Sequence, residues 1–301
     1  MTSRAARIVA ACGCALLLAG CGRMQACGKK KPEPRLVERQ GPSDVLPEAA
    51  SRAGAEVEVL PGRVVEAAGR RRSYVLVRPR ARRPGRPLVL VLHGDGGDGA
   101  GFHTGFPFER GSGEEAILAY PDGLHTTWDL EGAPDRNKDF AFLAAIVDDL
   151  ARSEGIDRRR VFGAGYSSGG FLLNFVACYR PGFLRAISSS AGGAPYGLPE
   201  TFANGYPKCP GQIPTPVIAL HGRQDFAVTF DSGTFTAQYW AYVNGCDDAE
   251  IETTAYPECA AYRGCRSGKS VVFCDVKRLG HWVWDRAAEA SWTFFMTQSR
   301  G

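Results

Sequence analysis

The chain has 301 residues, 44% of them hydrophobic, with 37 Gly, 19 Pro and a formal charge of +4. That length and apolar content suit one large α/β domain of roughly 240–250 residues behind an N-terminal leader. Without Arg4 and Arg7 of the leader, 34 basic side chains face 32 acidic ones, and no basic stripe interleaved with aromatics occurs, which excludes nucleic acid as an expected partner.

Residues 1–20 read as a signal peptide. Arg4 and Arg7 precede an apolar stretch of 11 residues, Ile8 to Leu18, too short for a permanent bilayer-spanning helix. Leu18-Ala19-Gly20-Cys21 resembles a bacterial lipobox. The resemblance implies lipidation of Cys21 and anchorage to a bacterial membrane, on the periplasmic or cell-surface side. Each buried acyl CH₂ would contribute roughly 0.8 kcal/mol to that anchorage. Residues 21–55, rich in Pro, Arg, Glu and Lys from residue 28 onward, read as the lipidated cysteine and a disordered tether. The catalytic domain is expected over 56–301.

Val57 to Val77 holds two β-rich runs, an antiparallel pair at a sheet edge. The continuous apolar run Pro87 to Leu92 predicts a strand buried on both faces of a mostly parallel sheet. Ala116 to Tyr120 is another, stopped by Pro121-Asp122-Gly123. Phe142, Leu143, Ile146, Val147 and Leu150 have helical spacing and predict an amphipathic helix over 139–152. A strand over 160–165 then runs into a turn and a helix over 169–179. Further strands are expected over 186–190, 216–220 and 270–276, with a closing helix over 285–297. Strand alternating with helix means a doubly wound α/β sheet with helices on both faces and no large lid domain.

Gly165-Tyr166-Ser167-Ser168-Gly169 lies between a predicted strand and a predicted helix. A G-x-S-x-G there is a nucleophile elbow, whose glycines allow a turn tight enough to expose the serine hydroxyl. Of the five histidines, His93 and His221 each end a strand in a His-Gly pair and read as turn-stabilising. His103 and His125 precede the serine. Only His281 gives the order serine, acid, histidine of the α/β-hydrolase fold. Asp225, a short turn after the predicted strand over 216–220, is the acid in between. Asp231, Asp247 and Asp248 read as loop acids. Ser167 is then the nucleophile, His281 the base, and Asp225 the group that orients the base. The backbone N–H of Ser168 and that of Asp95, in His93-Gly94-Asp95-Gly96-Gly97, are the expected oxyanion donors, with the Asp95 carboxylate turned away. Tyr166, Trp128 and Trp282 are candidate walls of the substrate pocket.

The same residues make the chain resemble the polyhydroxybutyrate depolymerase and feruloyl esterase family of secreted α/β-hydrolases. The likeness runs from about Gly69 to about Phe295. It is carried by Arg72-Ser73-Tyr74, Leu92 to Gly97, Tyr120-Pro121-Asp122-Gly123 with Trp128 shortly after, Ile156 to Val161, the elbow, His221-Gly222-Arg223-Gln224-Asp225, Asn244-Gly245-Cys246 and Gly280-His281. It implies an extracytoplasmic serine esterase acting on feruloyl, acetyl-polysaccharide or polyhydroxyalkanoate esters, and it places the triad on Ser167, Asp225 and His281; the enzyme is expected to be monomeric. Tyr166 and Ser168 depart from the His and Asn that often flank the family's nucleophile. A serine peptidase of the same fold and a non-catalytic binding lipoprotein are the rival readings.

Outside the cytoplasm the default for Cys178, Cys209, Cys246, Cys259, Cys265 and Cys274 is disulfide pairing, with Cys27 left over. A nested arrangement, Cys246–Cys274 around Cys259–Cys265, is preferred to the two other connectivities of those four, with Cys178–Cys209 as a third bridge. No clustered His supports a metal site, and no cofactor is expected.

Overall fold

The computed structural model describes residues 33–49 and 54–299. Residues 1–20, read from the sequence as a signal peptide, and Cys21 and Cys27 lie outside the described residues. Among the described residues eleven strands form one sheet: β1 (Arg35–Val37), β2 (Val57–Ala67), β3 (Arg70–Pro79), β4 (Leu88–Leu92), β5 (Ile117–Pro121), β6 (Val161–Tyr166), β7 (Ala186–Ser190), β8 (Val217–Gly222), β9 (Asp247–Thr253), β10 (Cys259–Arg263) and β11 (Val271–Val276). Six helices occur among the described residues: α1 (Gly99–Gly105), α2 (Glu109–Ser112), α3 (Lys138–Ser153), α4 (Ser168–Tyr179), α5 (Phe230–Asn244) and α6 (Ala287–Gln298). The strand order is β1-β9-β10-β11-β8-β7-β6-β4-β5-β3-β2. From β5 through β4, β6, β7 and β8 to β11 every pairing is parallel, and antiparallel pairs lie on both flanks. This is the α/β-hydrolase fold, with no large inserted lid among the described residues.

Strand alternation builds a core on each face of the sheet. Leu88, Leu90 and Leu92 of β4 pack with Leu143, Ile146 and Leu150 of α3 on one side. Val89 and Val91 pack with Phe102 of α1 and Phe294 and Phe295 of α6 on the other. All five β4 residues are buried, which accounts for the unbroken apolar run. Helix α3 starts where Asn137 caps it, its Oδ1 accepting from the N–H of Asp139 and Phe140. At the far end of α5, Asn244 accepts from the Thr215 N–H and donates to the carbonyls of Thr215 and Lys269. That amide staples the helix end to the segments that lead into β8 and β11.

Two expectations are corrected. The ordered domain begins ahead of residue 56, because Pro34–Gly301 is one compact unit. Within the supposed tether, β1 pairs in parallel with β9, and Leu46 is fully buried beside β10 and α6 residues. The charges that suggested disorder are engaged there: Arg39 bridges Glu252 and Asp44. The nested cysteine pairing is also overturned. Among the described residues the disulfides are Cys246–Cys265, Cys259–Cys274 and Cys178–Cys209. Antiparallel register is the reason. β10 turns back into β11 so that Cys259 faces Cys274 directly, and β9 lies along β10 with Asp247 opposite Arg263. That second register sets Cys246, one residue before Asp247, near Cys265. Among the described residues no helix is long and apolar enough to cross a membrane.

Candidate active site

The site gathers at the carboxyl ends of four strands, where an open parallel sheet places its crevice. β4 leads into the loop 93–97, β6 into Ser167, β8 into Asp225 and β11 toward His281. β8 and β11 are parallel neighbours with Asp275 opposite His221, so the loops carrying the acid and the histidine leave the sheet side by side.

Ser167 has φ 52° and ψ −122°, a strained conformation for a residue with a side chain. Glycines make that turn possible. A Cβ on Gly165 would come within 2.5 Å of the Gly169 carbonyl oxygen, and one on Gly169 would lie 2.5 Å from the His93 carbonyl oxygen. The start of α4 therefore rests directly on the backbone at the end of β4. The Ser168 N–H, first in α4, belongs to the turn that has no intrahelical acceptor.

Ser167 Oγ lies 3.0 Å from His281 Nε2, and His281 Nδ1 lies 2.8 Å from Asp225 Oδ2. The remaining lone pairs of Asp225 are occupied. Its Oδ1 accepts from the N–H of Ala227 at 3.0 Å and Val228 at 2.9 Å, and its Oδ2 also lies 3.3 Å from His221 Nε2. Burial by itself would raise this carboxyl. Hydrogen bonds from His221, His281 and the Val228 N–H prevail and hold it down to about 2. Tyr166 donates its phenolic hydrogen to the His281 carbonyl oxygen at 2.8 Å. Burial, followed by the charge of Asp225, pushes that phenol up to about 12, so it stays a donor.

The loop 93–97 is braced from below. His93 Nδ1–H donates to the Gly94 carbonyl at 2.7 Å, and Nε2 accepts from the Gly123 N–H at 2.9 Å. Burial pushes the His93 imidazole down from its ordinary value, keeping it in that neutral tautomer. Gly123 is held in turn by its neighbour. Asp122 accepts from the Ser73 hydroxyl at 2.6 Å and from the Gly99 N–H, and its carbonyl accepts from Arg72. Arg72 is itself buried in an ion pair with Asp139. The Arg72-Ser73 and Pro121-Asp122-Gly123 motifs are therefore struts for the loop. The Asp95 carboxylate accepts from the Thr127 hydroxyl.

Trp128 is not an open pocket wall. It is 4% exposed, stacks at a tilt 4.8 Å from the His93 ring and donates its indole N–H to the His93 carbonyl. The indole ring fills the space beneath the loop. Trp282 is 46% exposed and stands edge-on to Tyr166, with ring centres 5.0 Å apart. Phe102 stacks on the Tyr166 ring at 6.0 Å, completing an aromatic cluster beside His281. His221 was expected only to stabilise a turn. It is buried against the acid, and its spacing of four residues from Asp225 is the signal that could have marked it. No group of His, Cys, Asp and Glu among the described residues could hold a metal ion.

In fold, then, the chain is an α/β-hydrolase, and it is related in sequence to esterases. It is 24% identical over 215 residues to feruloyl esterase B of Piromyces equi, across 65% of this chain but only 39% of that protein. It is 28% identical over 240 residues to feruloyl esterase C of Emericella nidulans, covering 75% of this chain and 84% of that one. Acetyl xylan esterase from Aspergillus awamori superposes with a TM-score of 0.58 at 18% identity, over 74% of this chain and 94% of that chain. No protein-family model matches.

Proposed function

We propose that the protein is an extracytoplasmic serine esterase that cleaves carboxylic esters through an acyl-enzyme. One observation carries the reading: an unbroken hydrogen-bond path from Ser167 Oγ through His281 to Asp225, with a nucleophile at positive φ. Ser167 attacks the ester carbonyl carbon while His281 Nε2 takes its proton. The N–H groups of Ser168 and Asp95 receive the oxyanion, each such donor being typically worth about 10²–10³ in rate. As the tetrahedral intermediate collapses, His281 returns the proton to the leaving alcohol. A water activated by the same imidazole then releases the acid. Asp225 holds Nδ1 protonated and stabilises the imidazolium.

The substrate class we infer is a feruloyl or acetyl ester of polysaccharide, or a polyhydroxyalkanoate-type ester. The feruloyl esterase relatives and the aromatic surface of Tyr166 and Trp282 beside His281 support it. Three disulfides are consistent with an oxidising compartment. Lipidation of Cys21 would tether the enzyme to a membrane by way of residues 21–33.

A fluorophosphonate probe tests the nucleophile. We expect labelling of the wild type and none of Ser167→Ala, and equal labelling of both would remove Ser167 from the mechanism. Nitrophenyl esters competed against peptide anilides separate esterase from peptidase. Methyl ferulate, acetylated xylan and hydroxybutyrate oligomers then rank the esters, and turnover of none of them would overturn the substrate class. Mass spectrometry of the membrane fraction tests the anchor, which fails if Cys21 carries no lipid.

A further inference from the structure

Asp225 Oδ2 is shared by two imidazoles. His281 approaches it from the cleft side at 2.8 Å, and His221 approaches from the end of β8 at 3.3 Å. Both neighbours of His221 Nε2 are acceptors, since the Val228 carbonyl oxygen lies 2.8 Å from it. The ring proton therefore sits on Nε2, bonded to Val228 O, with Asp225 Oδ2 the second acceptor at 3.3 Å. His221 is 1% exposed, so bulk solvent does not reach that proton. The ring is confined on other sides as well. Phe230 stands edge-on to it at 6.3 Å, and any side chain at Gly233 of α5 would run into the imidazole. The glycine lets α5 approach closely enough to lock the ring.

We infer that His221 is a positioning residue for the proposed triad, the second imidazole that fixes the orientation and charge of Asp225. The inference rests on the esterase reading above. Two backbone N–H groups hold Oδ1, and His221 supplies the only side-chain donor to Asp225 other than His281 among the described residues. Without it the carboxylate keeps its Oδ1 hinge but can pivot about that oxygen. The His281 Nδ1–H bond then lengthens, and the imidazole drifts from the 3.0 Å contact with Ser167. A displacement of that kind lowers the rate of acylation with little change in substrate binding. The other groups around this carboxylate are Tyr166 and His281, and neither can replace the lost donor. The Tyr166 hydroxyl is committed to His281 O, and His281 already bonds Oδ2.

The experiment compares His221→Leu, which has no donor, with His221→Gln, whose amide N–H reaches roughly where Nε2 does. Leu is expected to lower kcat by about 10- to 100-fold with KM within about twofold, and Gln to recover to within about fivefold of wild type. The low-field proton resonance of the His281–Asp225 bond should move or broaden in Leu and return in Gln. Should Leu fail to fold, Gly233→Ala presses on the same imidazole from α5, and it is expected to give the same loss of kcat at constant KM. Wild-type kcat and an unmoved resonance in the Leu variant, or equal kcat for Leu and Gln, would overturn the inference. If wild type cleaves no ester and Ser167 takes no probe, the esterase reading fails instead. The proton resonance still decides whether His221 orients Asp225.

Discussion

The phenol of Tyr166 donates to the carbonyl oxygen of His281 at 2.8 Å, so the residue before Ser167, the proposed nucleophile, holds the backbone of His281, the proposed base. The nucleophile turn and the histidine loop, 114 residues apart in sequence, are tied at their closest approach by a bond that does not involve the reacting atoms. Tyr166→Phe keeps the ring packing against Phe102 and Trp282 and removes only the donor. The expected result is a loss of about 1 kcal/mol of stability in denaturant melts, because a partly buried carbonyl loses its partner. Ester turnover should fall about three- to tenfold at nearly constant KM.

Gly169→Ala should be far more damaging than its size suggests. The new Cβ would lie 2.5 Å from His93 O and 2.6 Å from Leu92 O, both backbone atoms that cannot swing away. Separating α4 from the end of β4 would also move the Ser168 N–H relative to the 93–97 loop. We expect a destabilisation of about 2–4 kcal/mol by thermal or denaturant unfolding. Fluorophosphonate labelling of the folded fraction should drop by at least about 10²-fold.

The charge state of Asp225 links folding to pH. Its carboxyl is held at about 2 in the folded protein, below the ordinary 3.8. A depressed folded value means the contribution is complete above the ordinary value and disappears as pH falls from about 4 through 2. Discounted for the solvent at the cleft, that contribution is on the order of 1–2 kcal/mol. Asp225→Asn should flatten this part of the stability-against-pH curve in chemical denaturation. The same variant should lose about 10⁴ in ester turnover, because the amide can favour the wrong imidazole tautomer.

Peptide mapping under non-reducing conditions should recover Cys259 joined to Cys274 and Cys246 joined to Cys265. Replacing Cys259 and Cys274 together by Ser is expected to cost about 3 kcal/mol, for a closed loop of 15 residues. Turnover should suffer beyond that loss at temperatures where the variant is still folded, because Cys274 lies on the strand that leads to His281. Recovery of a Cys246–Cys274 peptide would refute the pairing.

Much of this architecture is legible in the linear chain because its signals are local. The leucines and valines of 88–92 alternate between the two faces of the sheet, and the apolar residues of 142–150 repeat with helical period. The less regular half was hidden for equally physical reasons. Helix α5 contains Gly233, Thr234 and Thr236, poor helix formers that tertiary packing overrides, with Gly233 small because His221 is there. β9 and β10 extend the sheet with residues such as Asp247, Asp248 and Glu250, whose polarity resembles a loop. β1 is three residues long and exists only because β9 offers it an edge.

The sequence by itself determined the strand–helix alternation, the strained turn at Ser167, and the order in which a serine, an acid and a histidine meet the end of the sheet. Each of these follows from neighbours a few residues apart, or from the rule that chain order and parallel topology impose. Only the tertiary structure decided which cysteines face each other, that Trp128 lies beneath a loop instead of on a pocket wall, and that His221 shares an oxygen of Asp225. Those outcomes depend on register and on distances between elements that no local pattern encodes.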